Sequence, residues 1–178
     1  LRDENPSVRR SALKSLKQLV KAAKRFSVQV AHALEDPFSD IRFQAKDTIV
    51  AIDPPPSSAS LFTRRFAHKD GTVRLVALSA FVAIFGQRLK DHARTHAVDV
   101  VKLWHDPEPE IRRLALQFTY DHLCGETLFP YNDDMAIAIT DSDMLAQTTA
   151  VQILKKSPNL DLAARYMHHI AQLIEDDD

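Results

Sequence analysis

Apolar and small residues recur along the chain at the spacing of one face of an α-helix, and the same pattern is found in five successive segments. Each segment has an apolar residue, an alanine four positions later and a bulky apolar residue seven or eight positions later, so the three side chains share one helical face. The apolar residues are Val8, Ile41, Val73, Ile111 and, in a degenerate copy, Ala146. The alanines are Ala12, Ala45, Ala77, Ala115 and Ala150, and the bulky residues are Leu16, Ile49, Phe81, Phe118 and Leu154. The pattern predicts five helices whose central alanine lets a neighbouring helix approach closely.

Polar residues flank the apolar position in a repeated order. An arginine follows it directly in four copies, as Arg9, Arg42, Arg74 and Arg112, and Gln147 replaces it in the fifth. An acid precedes it by five positions as Asp3, Asp36, Asp106 and Asp141, whereas the third copy has only Asp70, three positions before. We expect Asp36, Asp106 and Asp141 to cap helix starts, with Pro37 and Pro107 at the first helical position. We also expect each arginine to reach the acid of a neighbouring repeat and to form a ladder of ion pairs.

Shorter helical segments and chain breakers separate the five helices. The predicted second helices are Phe26–Glu35, Ser58–His68, Leu89–His105, Asp133–Thr140 and Leu160–Glu175. The repeat is about 35 residues long, and periods of roughly 20–50 residues made of helix pairs are typical of solenoids. We therefore predict an all-α fold, a right-handed α-α superhelix of about five helix pairs in a single domain over residues 1–178. Because the first repeated helix has no preceding partner helix, we expect the chain to be an excerpt of a longer solenoid.

The order of Asp, Pro, Val or Ile, Arg and Ala resembles the HEAT-repeat family of armadillo-like α-solenoids. The closest matches are DPFSDIRFQA and DPEPEIRRLA, which begin at Asp36 and Asp106. The repeat is shorter than the roughly 40–47 residues usual for HEAT arrays. The resemblance implies a surface that holds other macromolecules, most often proteins, and it implies no shared catalytic residues.

Composition is consistent with a soluble helical protein. The chain has three glycines and one cysteine, Cys124, which cannot form an internal disulfide and fits a reducing compartment. Neither a signal-peptide pattern nor an apolar run of about 20 residues is present. We expect an intracellular protein, cytoplasmic or nuclear. The net charge of −1 conceals an asymmetry, since bases are concentrated in residues 1–25 and acids in residues 126–178.

Basic side chains form one stripe along the first helix, because they recur at i, i+4, i+7 and i+11. They are Arg10, Lys14, Lys17 and Lys21. Positions two, three and six residues after the apolar residue continue that face, and from them we predict Gln44, Asp47, Arg113 and Gln117 as further partner-binding residues. The same register holds Phe43, Leu75, Val76, Ser79 and Leu114. The stripe is either a solvated face or a site for a protein partner with an acidic segment. A nucleic-acid partner is less favoured, because no aromatic residues are interleaved and the pI is about 6.8.

Two further groups have chemical potential but simpler explanations. His92, His96 and Asp99 lie at i, i+4 and i+7, a spacing that suits a divalent metal, yet an exposed polar face explains them as well. Trp104, the only tryptophan, is expected to pack in the core. We predict no catalytic residue, no metal and no cofactor, and a non-enzymatic interaction scaffold. The alternative is a nucleic-acid-associated HEAT module.

Overall fold

The computed structural model describes residues 1–86, 93–123, 128, 130–156, 164 and 171, apart from the side chains of residues 21, 93 and 94. His92, Cys124 and the predicted helix Leu160–Glu175 thus lie outside the described residues, apart from the backbone of residues 164 and 171. The chain separates into two compact units, Leu1–Leu89 and Lys90–Asp178. All regular secondary structure of the described residues is helical. The predicted all-α fold class is confirmed.

The first unit contains five α-helices and the second contains four among the described residues. The first five are α1 (Pro6–Leu19), α2 (Ser27–His32), α3 (Ser39–Ile52), α4 (Ser60–Thr63) and α5 (Gly71–Phe85). The next four are α6 (Ala93–Val101), α7 (Pro109–His122), α8 (Asn132–Ile139) and α9 (Met144–Lys156). Short 3₁₀ segments extend several of them, and the segment Ala33–Glu35 continues α2.

The helices pack as stacked hairpins. In the first unit, α3 lies between α1 and α5, while α2 with its 3₁₀ extension packs against α3 and α4 packs against α5. In the second unit, α7 packs on α9, and α6 and α8 pack against α7 and α9 respectively. Each repeated helix except α1 is therefore paired with the shorter helix that precedes it in the chain.

Small and branched residues form the interior of each stack, as the sequence predicts. Ala45, Ala77, Ala115 and Ala150 are all fully buried. The first repeat differs, because Val8 is 47% exposed and Ala12 is only half-buried. The same sequence position is thus a core site in α3, against which α2 packs, and a partly open site in α1.

The contrast between these two alanines predicts the effect of a larger side chain. Ala45→Leu adds volume to a filled site and is expected to lower the free energy of unfolding by about 1–3 kcal/mol. Ala12→Leu, at the same register of α1, is expected to change it by less than about 0.5 kcal/mol. Urea denaturation followed by circular dichroism measures both. Equal losses from the two variants would contradict the assigned packing.

The predicted starts of the third and seventh helices, α3 and α7, are wrong by two residues. The helix α3 begins at Ser39 and its N-cap residue is Phe38, so neither Asp36 nor Pro37 belongs to it. Asp36 instead accepts the backbone N–H of Phe38 at 3.0 Å, an Asx-type turn that precedes the helix. In the fourth repeat the proline at the helix start is likewise Pro109 and not Pro107.

Candidate partner-binding surface

The repeated arginine holds the turn before its own helix. In all four copies its Nη1 donates a hydrogen bond to the backbone carbonyl six positions earlier, at 2.7–2.9 Å. These pairs are Arg9 with Asp3, Arg42 with Asp36, Arg74 with His68 and Arg112 with Asp106. Residue types alone do not predict this contact, because the acceptor is a backbone carbonyl, which every residue has. The arginine therefore fixes the turn as well as the contact to the next repeat.

The predicted ladder between repeats is confirmed for three of the arginines, Arg9, Arg42 and Arg112. Arg9 donates from Nε and Nη2 to the two carboxylate oxygens of Asp36, at 2.7 and 2.9 Å. Arg112 makes the same bidentate contact with Asp141, from Nε at 2.7 Å and from Nη2 at 2.8 Å. Arg42 lies 3.6 Å from a carboxylate oxygen of Asp70. Burial by itself raises the pKa of Asp36, but the hydrogen bonds from Arg9 and from the backbone of Phe38 outweigh it, and the pKa is lowered.

A histidine replaces the turn aspartate in the shortened third copy. His68 lies five positions before Val73, where the other copies have an acid, and its Nδ1 accepts the backbone N–H of Asp70 at 3.0 Å. Asp70 caps α5 by accepting the N–H of Thr72 at 2.8 Å. The sequence interpretation missed this role of His68, although its position in the repeat was available as a signal.

Acidic side chains of α3 and of Asp53, which follows it, lie close to basic side chains of α1 and of Lys24, which follows α1. Arg10 is bonded to Asp40, the Nζ of Lys17 lies 3.7 Å from Asp47, and Lys24 lies 4.0 Å from Asp53. Lys14 is exposed and occupies in α1 the register of Asp47 in α3. The side chain of Lys21 lies outside the described residues. The predicted basic stripe and Asp47 are thus brought together on one surface, which carries both signs of charge.

A shallow groove crosses this surface. It has a volume of about 370 Å³ and is lined by Lys17, Lys46, Asp47, Val50, Ala51, Ser79 and Ala83. The apolar part of the lining comes from α3 and α5, and the charged part comes from α1 and α3. The hydrogen bond from Lys46 lowers the pKa of Asp47 against the effect of burial, and the charge of Lys17 lowers it further. We call this groove the ladder face, together with the charged side chains of Arg10, Lys14, Lys17, Asp40 and Asp47 along its edges. It is distinct from the ladder of buried arginine–aspartate pairs described above.

Other residues predicted from the register occupy different environments. Gln44 is half-buried and its backbone carbonyl accepts the hydroxyl of Thr48 at 2.7 Å. Val76 is fully buried, because it faces the core and not the surface. In the first unit, the positions two, three and six residues after the repeated apolar residue are therefore exposed in some cases and buried in others.

In the second unit, the residues predicted from the same spacing, Arg113 and Gln117, each bind a carboxylate of that unit. Arg113 is exposed and binds Asp143 through two nitrogen atoms, with 2.7 Å from Nε to the carboxylate. The hydrogen bond from Arg113 is the main cause that lowers the pKa of Asp143 to about 2. Gln117 donates to Asp121 at 3.1 Å. A charged pair analogous to that of Arg10 is thus repeated here.

Trp104 and His96 each contact another side chain of the protein. Trp104 is 1% exposed and its Nε1 donates to the hydroxyl of Thr119 at 3.3 Å, which confirms the predicted core position. The Nδ1 of His96 lies 3.7 Å from Asp99. Within the part of the chain that the structure describes, no cluster of three or more metal-ligating side chains is found.

Comparison with known families agrees with this helical architecture. A family model described as the HEAT repeat matches residues 1–23, the segment that contains α1. No curated protein matches the sequence. The match covers 23 of the 178 residues, and the stacked hairpins of the remaining described helices are consistent with it. None of the described helices is both long and apolar enough to cross a membrane.

Proposed function

We propose that the chain is a non-enzymatic scaffold that binds a segment of a partner protein along the ladder face. Helical repeats of this family often mediate protein interactions, and each unit here presents stacked helices. The observation that supports the proposal best is the ladder face itself, a groove of about 370 Å³ with an apolar floor and charged edges. Such a combination suits an extended or helical segment, because the floor takes apolar side chains and the edges orient polar ones.

The charges of the ladder face indicate the chemistry of that segment. Asp40 and Asp47 partly offset the cations of Arg10 and Lys17, while Lys14 adds an exposed positive charge at the same level of the stack. The balance remains basic among the described side chains. We therefore propose a segment whose acidic residues face α1. We place the protein in the cytoplasm or nucleus, because its single cysteine fits a reducing compartment.

Site-specific photo-crosslinking tests the proposal. A photoreactive amino acid at Ser79, which lines the groove, is expected to form a covalent adduct with a cellular protein, and the same group at exposed Ser57 is expected to form none. Lys14→Glu with Lys17→Glu is expected to reduce the Ser79 adduct about tenfold or more, because two attractive contacts become repulsive. Circular dichroism is expected to show an unchanged fold, since all four altered sites are exposed or half-buried.

Two outcomes would contradict the proposal. Equal adducts from Ser79 and Ser57 would show that the groove is not the contact. A salt-dependent gel shift with DNA or RNA that is lost in the Lys14→Glu, Lys17→Glu variant would favour the nucleic-acid alternative, since phosphate contacts are strongest at low ionic strength.

A further inference from the structure

The turn between α4 and α5 differs from the equivalent turns of the other repeats at one position. Five residues before the repeated apolar residue, the other four copies have an aspartate whose carboxylate accepts the backbone N–H two positions later, at 2.8–3.0 Å. The third copy has the half-buried His68 there, and its Nδ1 accepts the N–H of Asp70 at 3.0 Å. A histidine thus holds a turn that an aspartate holds in the other copies.

The histidine also leaves a contact between repeats incomplete. Asp36 and Asp141 each accept two hydrogen bonds from the arginine of the preceding repeat. A neutral imidazole cannot do this, because its single acceptor nitrogen already holds the turn. The corresponding Arg42 lies 3.6 Å from Asp70, and its Nε is buried without a hydrogen-bond partner among the described residues. The polar contact between α3 and α5 is therefore weaker than that between α1 and α3.

Protonation reverses what His68 offers to the turn. In the neutral ring Nδ1 is an acceptor and Nε2 carries the proton, whereas both nitrogen atoms are donors in the charged ring. The charged ring cannot accept the N–H of Asp70. Histidine changes charge between about pH 5 and 8, a range in which an aspartate stays ionised. Of the five turns, this one is therefore held by a group that loses its acceptor in that range.

The charged groups around the turn do not favour a positive His68. Its backbone carbonyl accepts a hydrogen bond from Nη1 of Arg74 at 2.8 Å, and its N–H donates to the carbonyl of Arg65 at 3.0 Å. The acids nearby already lie against arginines, Asp70 against Arg42 and Glu35 against Arg65. The charged groups that surround the turn are Glu35, Arg42, Arg65, Lys69, Asp70 and Arg74. Both carboxylates of this set thus have a cation as neighbour before His68 gains its charge.

We propose that the His68 turn is a pH-sensitive joint of the stack, closed when the ring is neutral and loosened when the ring takes up a proton. The loosened state binds one proton more than the closed state, so the closed population falls as the pH falls through the histidine range. The two helices that meet at this joint, α3 and α5, also line the groove of the ladder face. Weaker binding there in acid is a consequence that rests on the proposed function, whereas the joint itself does not.

His68→Asn tests the proposal, because the side-chain oxygen of asparagine accepts the same N–H and does not titrate. Hydrogen exchange of the full chain, read by NMR and corrected for the intrinsic exchange rate at each pH, reports the opening of the Asp70 amide. Between about pH 8 and about pH 5.5, where carboxylates stay ionised, we expect its protection factor to fall about fivefold or more in the unaltered chain. The expected fall in His68→Asn is less than about twofold.

His68→Asp restores the carboxylate of the other copies. The new carboxylate is expected to bind Arg42 as Asp36 binds Arg9, because the two positions match in the repeat. The protection factor of the Asp70 amide and the urea midpoint at about pH 5.5 are both expected to rise above those of the unaltered chain. His32→Asn is the control, since His32 is exposed on α2, and it is expected to leave the pH dependence at Asp70 unchanged.

Three results would overturn the proposal. One is a constant protection factor of the Asp70 amide between the two pH values in the unaltered chain, and another is an equal fall in His68→Asn. The third is loss of the pH dependence in His32→Asn, because another histidine would then control the turn. These measurements need no partner protein, so failure of the joint is distinguishable from failure of the Ser79 crosslinking experiment, which concerns the proposed function alone.

Discussion

Phe81→Ala is expected to lower the free energy of unfolding by about 3–5 kcal/mol, the usual cost of truncating a buried aromatic side chain to alanine. Phe81 is fully buried in α5 and lies at the centre of an aromatic cluster. Its ring centroid is 5.7 Å from that of Phe66, edge to face, and 5.3 Å from that of Phe85. Phe62 extends the cluster through Phe85 at 5.6 Å. Removal of the central ring leaves a cavity and also breaks the ring contacts.

Urea denaturation of the full chain measures this loss, and Phe81→Leu keeps the test valid if the alanine variant fails to fold. The leucine variant retains most of the apolar volume and is expected to lose about 1–2 kcal/mol. The matched control is Phe43→Ala, because Phe43 is 45% exposed in α3, and its truncation is expected to cost less than about 0.5 kcal/mol. A loss at Phe43 as large as that at Phe81 would mean that the core is wrongly assigned.

The core could be predicted because apolar burial leaves a periodic record in the sequence. The helical face that contains Ala45 and Ile49 follows from spacing alone, and so does the core position of Trp104 at the end of an apolar stripe. The first repeat shows the limit of this inference. Val8 has the same pattern around it and is nevertheless 47% exposed, because burial depends on a neighbouring helix as well as on the residue itself.

The charged surface could be predicted only in part, because the repeat length does not determine how far successive helices are shifted along each other. The repeat is about 35 residues long, but Arg10 pairs with Asp40 and Arg113 with Asp143, each 30 residues away. In both pairs the aspartate therefore lies about one helical turn before the position that matches the arginine in the next repeat. The sequence thus predicts a basic stripe on α1 and does not show that carboxylates of the next helix offset it.

Asp141→Asn is expected to lower the free energy of unfolding by about 2–3 kcal/mol at neutral pH. Arg112 and Asp141 have side chains only 12% and 7% exposed, and they share two hydrogen bonds. Removal of the carboxylate charge leaves the Arg112 guanidinium in a poorly solvated place with a weaker partner, which costs far more than the loss of an exposed pair. The amide of the new side chain retains the size of the carboxylate, so that cavity formation does not contribute.

The pH dependence of that loss has a definite sign. Burial raises the pKa of Asp141, but the hydrogen bonds from Arg112 and from the backbone of Asp143 outweigh it, and the pKa is lowered below 3.8. The carboxylate therefore stabilises the fold above its unfolded-state pKa, and this contribution is lost as the pH falls through the folded-state pKa. The unaltered chain and Asp141→Asn are expected to differ fully at pH 7, and the difference is expected to shrink progressively as the pH falls below about 4.

Asp40→Asn provides the matched control for the ion-pair prediction. Asp40 and Arg10 are 51% and 41% exposed in their side chains, so water solvates either charge when the other is removed, and we expect a change below about 0.5 kcal/mol. A double-mutant cycle that combines Asp141→Asn with Arg112→Gln isolates the coupling between the two groups. Equal losses at Asp40 and Asp141, or a coupling near zero between Arg112 and Asp141, would show that the ladder between repeats does not stabilise the stack. A large coupling between Arg112 and Asp141 would instead establish this buried pair as a polar contact that fixes one repeat on the next.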